Sequence, residues 1–289
     1  MKRPFVFLLL LLCFAGNLHA ANKRILLIAG KPSHGPGDHE FRAGCLLLQK
    51  CLAGVKGITT EVYTNGWPTD DKVFAGASAV LIYADGGTGN PAIQANHTQI
   101  LDDLAKKGAG IGFAHFGVEV PKGAAGDSMW WWIGGYYEDH YSVNPMWTPE
   151  FNTFPNHPIT RGVKPFTVLD EWYFNMRWRP DTDNITPILV ATPPDKVRNG
   201  PYVYPKGPYP HIQEAKGRAE TMMWAFTRAG GGRGLGFTGG HRFVNWENEN
   251  FRKVVLNGLL WLAKVEVPKE GVNSSLDGYD LKANLDPKK

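Results

Sequence analysis

Residues 24–41 read RILLIAGKPSHGPGDHEF. Arg24–Ala29 is a continuous apolar run stopped by Gly30, the pattern of a strand buried on both faces of a parallel sheet. A polar, turn-rich loop follows, and Asp38 is the expected N-cap of a helix. Phe41, Cys45, Leu48 and Leu52 then recur at helical spacing. The unit repeats downstream. Thr59–Tyr63 and Ala79–Tyr83 (AVLIY) read as strands, Ile93–Lys107 as a helix and Gly110–His115 (GIGFAH) as the next strand. Strand alternating with helix predicts an α/β fold, a flavodoxin-like, mostly parallel sheet with helices on both faces. Ligands of such sheets sit beyond the carboxyl ends of the strands, where the loops at 34–40, 85–90 and 115–119 fall.

The second half is less regular. Residues 130–141 (WWWIGGYYEDHY) are aromatic and broken by glycine. Phe166–Phe174 and Ile188–Thr192 are candidate strands, and 197–211 reads as a long Pro/Gly/Tyr surface loop. Met222–Thr227 and Gly234–Thr238 flank a glycine-rich turn, as a hairpin would. Phe251, Val254, Val255, Leu259 and Leu262 mark a final amphipathic helix. From Val267 the chain is polar and aperiodic, and residues 267–289 are expected to be a loosely docked tail.

The chain opens with Lys2 and Arg3, an apolar run over Phe5–Phe14, and Leu18-His19-Ala20. That is the layout of a removable signal peptide over residues 1–20, with Cys13 discarded inside it. A retained anchor would want about 20 apolar residues. The expectation is an exported protein, periplasmic or secreted, without membrane anchoring after cleavage, its main domain running over residues 21–266. Losing Lys2 and Arg3 takes the formal net charge from +4 to +2, too little and too dispersed to argue for nucleic acid. Cys45 and Cys51, six residues apart on one helix, face different directions and read as unbridged thiols.

Five groups could carry chemistry. His34, Asp38, His39 and Glu40 follow the first strand; imidazoles and carboxylates on one loop bind zinc-type ions or move protons, or simply cap and face solvent. His115 stands where a strand feeds a tight turn, with Gly117 permitting the turn and Glu119 close by. His241 follows two glycines in FTGGHRF, with Trp246 and Glu247 after it. Asp170 and Glu171 alternate across a strand, so at most one faces a site. Trp130–Trp132 with Tyr136, Tyr137 and Tyr141 offer a sugar-stacking platform or an aromatic cover for the core. His39, His115, His241, Glu40, Glu119 and Glu171 are thus the candidate catalytic residues. His34, Asp85, Trp131, Trp132, Tyr136, Asp170 and Trp246 are the candidate substrate contacts. His34, His39, His115 and His241 are the candidate ligands of a divalent metal. The chain has no G-x-S-x-G, no Walker loop and no dinucleotide fingerprint, so no nucleotide cofactor is expected.

The HGPGDHEF loop, GIGFAHFG, HPITRG with LDEWYF, and the closing GGH…FRKVVLNGLLWLA resemble the trehalose-utilisation (ThuA-like) family, whose fold is similar to class I glutamine amidotransferases. The match spans most of residues 23–265. The resemblance implies that His115 occupies the elbow where an amidotransferase carries its catalytic cysteine, and His241 the late histidine position. Without that cysteine, glutamine hydrolysis through a thioester is not available. It also implies handling of glycosides, including 3-keto sugars, in bacterial catabolism, with a small carbohydrate as partner. Three functions remain in play: acid–base or metal-assisted carbohydrate chemistry, a non-catalytic carbohydrate-binding module using residues 130–141, and a scaffold with a degenerate site. A homo-oligomer is compatible with all three.

Overall fold

The computed structural model describes residues 22–288; the signal-peptide expectation for residues 1–20 lies outside them. Seven strands form the central sheet: β1 (Lys23–Ala29), β2 (Ile58–Tyr63), β3 (Ala77–Tyr83), β4 (Gly110–Ala114), β5 (Ile185–Ala191), β6 (Glu220–Thr227) and β7 (Arg233–Phe237). Their spatial order is β5-β6-β7-β4-β3-β1-β2. Only β6 runs against the others, pairing antiparallel with both β5 and β7. The hairpin expected around the glycine-rich turn is β6–β7.

Alternate residues of the central strands feed two cores. Ile25, Leu27, Leu81 and Tyr83 pack on one face with α1 (Phe41–Leu52). Leu26, Ile28, Val80, Ile82 and Phe113 pack on the other with α2 (His97–Lys106) and α3 (Ala124–Trp132). The last long helix, α4 (Glu249–Leu262), joins the α1 layer through Phe251, Val255 and Leu259. Each fully buried aliphatic side chain contributes about 1.5–3 kcal/mol, so both strand faces hold the sheet in place.

The mixed middle departs from the sequence reading. Phe166–Phe174 is not one strand but two two-residue strands, Phe166–Thr167 and Asp170–Glu171, pairing with Glu150–Phe151 and Met146–Trp147. The expected helix at 93–107 begins only at His97, after a short 3-10 turn at Pro91–Ile93.

The C-terminal tail is not loose. Val267 and Val272 are buried. Arg252 Nε donates to Ser274 Oγ, and Lys50 reaches Asp277 and Asp280. At its end Lys288 Nζ lies 3.3 Å from Glu40 Oε1, both side chains almost wholly buried. A polar sequence docks here because its charges find partners while Val267, Val272, Leu276 and Leu281 pack on the core. Among the described residues no helix is long and apolar enough to cross a membrane.

Candidate metal centre

The parallel strands deliver their loops to one edge of the sheet. His39 follows β1, Asp85 follows β3, His115 follows β4 and His241 follows β7. Asp170 and Glu171 reach the same edge from the irregular middle. His39 and His115 hold the left-handed backbone conformation, at φ 49° and 52°. A non-glycine residue there costs of order 1–3 kcal/mol and persists only where its surroundings fix it. At the elbow, then, the strained residue is His115 itself. Gly117, expected to permit the turn, instead lets the chain pass close to β3, since a Cβ there would lie 3.1 Å from the Ile82 carbonyl oxygen.

Three imidazoles and one carboxylate converge. His39 Nε2 lies 2.9 Å from both His115 Nε2 and His241 Nδ1. His241 Nδ1 is 2.7 Å from Glu171 Oε2, which is 3.8 Å from His115 Nε2. The remaining ring nitrogens face outward to acceptors. His39 Nδ1 is 2.9 Å from Asp85 Oδ1, His115 Nδ1 is 3.0 Å from the Thr238 carbonyl oxygen, and His241 Nε2 is 3.6 Å from Asp38 Oδ2. A carbonyl can only accept, so the His115 ring carries its proton on Nδ1. Asp85 fixes His39 in the same way. Their Nε2 lone pairs therefore face each other across 2.9 Å, a repulsion that a cation between them would relieve; the Tyr173 hydroxyl, 3.3 Å from His115 Nε2, can also donate to that lone pair. Tetrahedral coordination at zinc–nitrogen distances gives ligand–ligand edges of about 3.3 Å, and the observed spacings of 2.7–3.8 Å bracket it. His39, His115, His241 and Glu171 together can hold a divalent ion. The outer acceptors are the partners that metal-bound histidines use to fix tautomer and orientation.

Electrostatics follow from burial. Desolvation, with His34 and His241 nearby, holds His39 far below the ordinary imidazole range. Desolvation likewise lowers His115, against a smaller opposing effect of the Thr238 carbonyl. Burial lowers His241 too, but the hydrogen bond and charge of Glu171 outweigh it and the net shift is upward. Glu171 and Asp170 are raised by burial.

The sequence-derived candidates sort clearly. His39, His115, His241 and Glu171 meet; Asp85 braces His39; Asp170 accepts the amides of Gly240 and Arg242 and so shapes the His241 loop. Gly240 has φ 112°, a conformation reserved in practice for glycine. As expected, only one of the Asp170–Glu171 pair touches the imidazoles. His34 is half exposed beside Asp85, its ring 3.6 Å from that of His39. Glu119 stands apart from the cluster, half-buried, with its carboxyl pushed up to about 8 by burial and by Asp139 and Glu171.

Other candidates are placed elsewhere. Glu40 faces the tail rather than the imidazoles, accepting the amides of Gly37 and Asp286. Asp38 is not a helix cap: Glu40 occupies that position, without a side-chain cap, and Asp38 turns to His241. Trp132 is buried against Phe113, its indole donating to Asp102. Tyr136 is buried on Glu138, and Trp246 is enclosed near Tyr83 and Phe251. None of the three presents a ring face to a ligand. Trp131 alone is exposed, at 38 %, too little for a platform. Cys45 and Cys51 are free thiols on α1, as read.

Sequence reasoning missed Tyr173, whose hydroxyl lies 3.3 Å from His115 Nε2. Tyr173 lies two residues past Glu171, outside the two-residue strand that presents that carboxylate, so no periodicity marked it. Sequence reasoning also missed Thr238, which acts through its backbone and leaves no side-chain signature.

No curated protein matches this sequence. Among solved structures, a ThuA-like protein from Parabacteroides merdae is 15% identical, with a TM-score of 0.60 over 90% of this chain and 99% of its own. A ThuA-like protein from Bacteroides uniformis is 14% identical, with a TM-score of 0.58 over 86% of this chain and 95% of its own. At such identities the likeness speaks for the fold, a mostly parallel α/β sheet. The family model described as trehalose utilisation matches residues 24–262, most of the sheet and all four converging side chains, and the chain therefore belongs to the trehalose-utilisation (ThuA) family.

Proposed function

We propose that this protein is an exported member of carbohydrate catabolism that acts on a glycoside or 3-keto sugar at a divalent metal centre held by His39, His115, His241 and Glu171. The observation that supports it most is the 2.9 Å meeting of His39 Nε2 and His115 Nε2 with both opposite nitrogens already bonded to acceptors. Three imidazoles and a carboxylate suit zinc or another borderline divalent ion. Bound there, such an ion would polarise a sugar carbonyl or hydroxyl oxygen.

The chain's own residues orient and exclude. Asp85 and the Thr238 carbonyl hold two rings so that their Nε2 atoms point inward. Asp170 fixes the loop that presents His241. Tyr173 places a hydroxyl at the His115 edge of the cluster. His39 and His115 are buried, which keeps water away from one side, while His241 remains 12% exposed on the other, where a substrate would approach.

The test is metal content of protein purified without chelator and dialysed against zinc, together with an NMR time course on trehalose, glucosides and their 3-keto forms. The expected result is about one ion per chain, lost in His115→Ala, and product signals that disappear with chelator. A metal content below about a tenth of an equivalent with every first-row divalent ion would overturn the metal centre. Turnover unaffected by chelator would remove the metal from the chemistry.

A further inference from the structure

Beside the cluster, the turn after β3 and the turn after β4 enclose a cavity of about 390 Å3 lined by Gly86, Gly87, Phe116, Glu119 and Asp139. Phe116 is a wall shared with the cluster: its ring is 6.0 Å from that of His39. The turn after β3 packs this closely on the turn after β4 because it carries no side chain at Gly86. A Cβ at Gly86 would lie 2.1 Å from the Phe116 carbonyl oxygen, and one at Gly87 3.4 Å from Glu119 Oε1.

Two polar groups in this region are unused. Among the described residues nothing hydrogen-bonds or ion-pairs with the Glu119 carboxyl, although it is half-buried. Tyr137, bridged to Glu119 through the backbone, is 1% exposed and its hydroxyl has no partner. A buried polar atom left unpaired costs about 1–3 kcal/mol; of the two groups only Glu119 lines the cavity, and its free carboxyl is where a ligand would find a partner.

Resting on the function proposed above, we infer that this cavity is the sugar subsite of the metal centre and that it takes an uncharged ring, with Phe116 against the ring and Glu119 exchanging hydrogen bonds with its hydroxyls. A phenyl ring and two carboxyl groups lining one cavity match a polyhydroxylated ring, which offers C–H surface and many donors. Burial pushes the Glu119 carboxyl up to about 8, and in its protonated form it both donates and accepts, as sugar hydroxyls do. Asp139, at the exposed mouth, sets the sign of the field there, and with no Lys, Arg or His among the described lining residues a phosphorylated or carboxylated sugar is disfavoured away from the metal.

Calorimetric binding of trehalose and of trehalose 6-phosphate to the purified protein, with and without chelator, tests this. Glu119→Ala is expected to weaken trehalose binding about tenfold, and Glu119→Gln, whose amide also donates and accepts, by less than about threefold. The 6-phosphate is expected to bind at least about tenfold more weakly than trehalose. Trehalose binding unchanged in Glu119→Ala, equal or tighter binding of the phosphate, or no sugar binding at all would each overturn the subsite. Metal content decides the other reading separately: sugar binding that depends on Glu119 in a protein that takes up no metal leaves the subsite standing and removes the metal.

Discussion

The buried pair between Lys288 and Glu40 joins the last residues of the chain to the loop that carries Asp38 and His39. Lys288 is 3% exposed at its side chain and Glu40 1%. The ammonium also donates to the carbonyls of Asp38 and Gly35, and Glu40 accepts the amides of Gly37 and Asp286. Lys288→Met keeps the aliphatic stem and removes the charge, leaving a carboxylate buried without its cation. Breaking a buried pair from one side costs about 3–5 kcal/mol. Because Glu40 retains two backbone donors, the cost falls somewhat below that range, to about 2–3 kcal/mol. At about 2–4 °C per kcal/mol for a domain of this size, the melting temperature should fall by about 4–12 °C. Calorimetry of Lys288→Met, Glu40→Gln and the double variant makes a closed cycle. The double variant should recover stability relative to Lys288→Met, since no charge is then left unpaired. A melting temperature within about 1 °C of the parent protein in Lys288→Met, or single effects that simply add, would refute the reasoning and return the tail to the status its polar sequence suggests.

Glu119→Gln should alter the pH dependence of stability. Folding raises this carboxyl from the ordinary carboxylate range to about 8, so its contribution is full below the unfolded value and lost as pH rises through 8. The variant should therefore gain on the parent between pH 5 and 9 in denaturant midpoints. His157 runs the other way: burial, with Arg233 and Arg161 nearby, lowers it to about 4. Its contribution is present above the ordinary imidazole value and lost as pH falls toward 4. His157→Asn, which keeps a cap acceptor for the Ile159 amide, should flatten the acid limb between pH 6.5 and 4. Trp132→Ala should destabilise by about 3–5 kcal/mol, whereas the exposed Trp131→Ala should stay within about 0.5 kcal/mol and leave sugar affinity unaltered. Equal effects from the two would show that the helix is oriented otherwise.

The contrast between those tryptophans shows where a sequence stops being legible. On a helix successive residues turn by about 100°, so three adjacent indoles cannot share a face. Trp130 reaches the Arg177 carbonyl, Trp131 meets solvent and Trp132 enters the core. A run that reads as a platform is dispersed by geometry. The opposite holds for β1, β3 and β4, whose uninterrupted apolar runs can only be strands covered on both faces. Their ends could be located to within a residue or two, and with them His39, Asp85 and His115. The region around Asp170 and Glu171 is built from two-residue pairings with no period to detect. The docking of the tail includes a charge pair 248 positions apart in sequence, which no local pattern encodes.

That division bears on how the site is made. The sheet supplies positions: loops leave one edge and bring three imidazole rings to within 4.8 Å of one another at their inward nitrogens. The elbow at His115 lifts a side chain over that point whatever its identity. An elbow cysteine would be a nucleophile there. An imidazole whose Nδ1 is already committed to the Thr238 carbonyl offers instead a single inward lone pair. Two more imidazoles and Glu171 face the same point, with Asp85 and Asp38 behind the other rings. Every outward nitrogen faces an oxygen acceptor, and the inward ones face another nitrogen, a carboxylate or, at His115, the Tyr173 hydroxyl as well. Such a polarity is what coordination of a cation requires, whereas nucleophilic catalysis requires a donor between base and nucleophile. The local chemistry, rather than the shared architecture, therefore separates this chain from an elbow-cysteine enzyme.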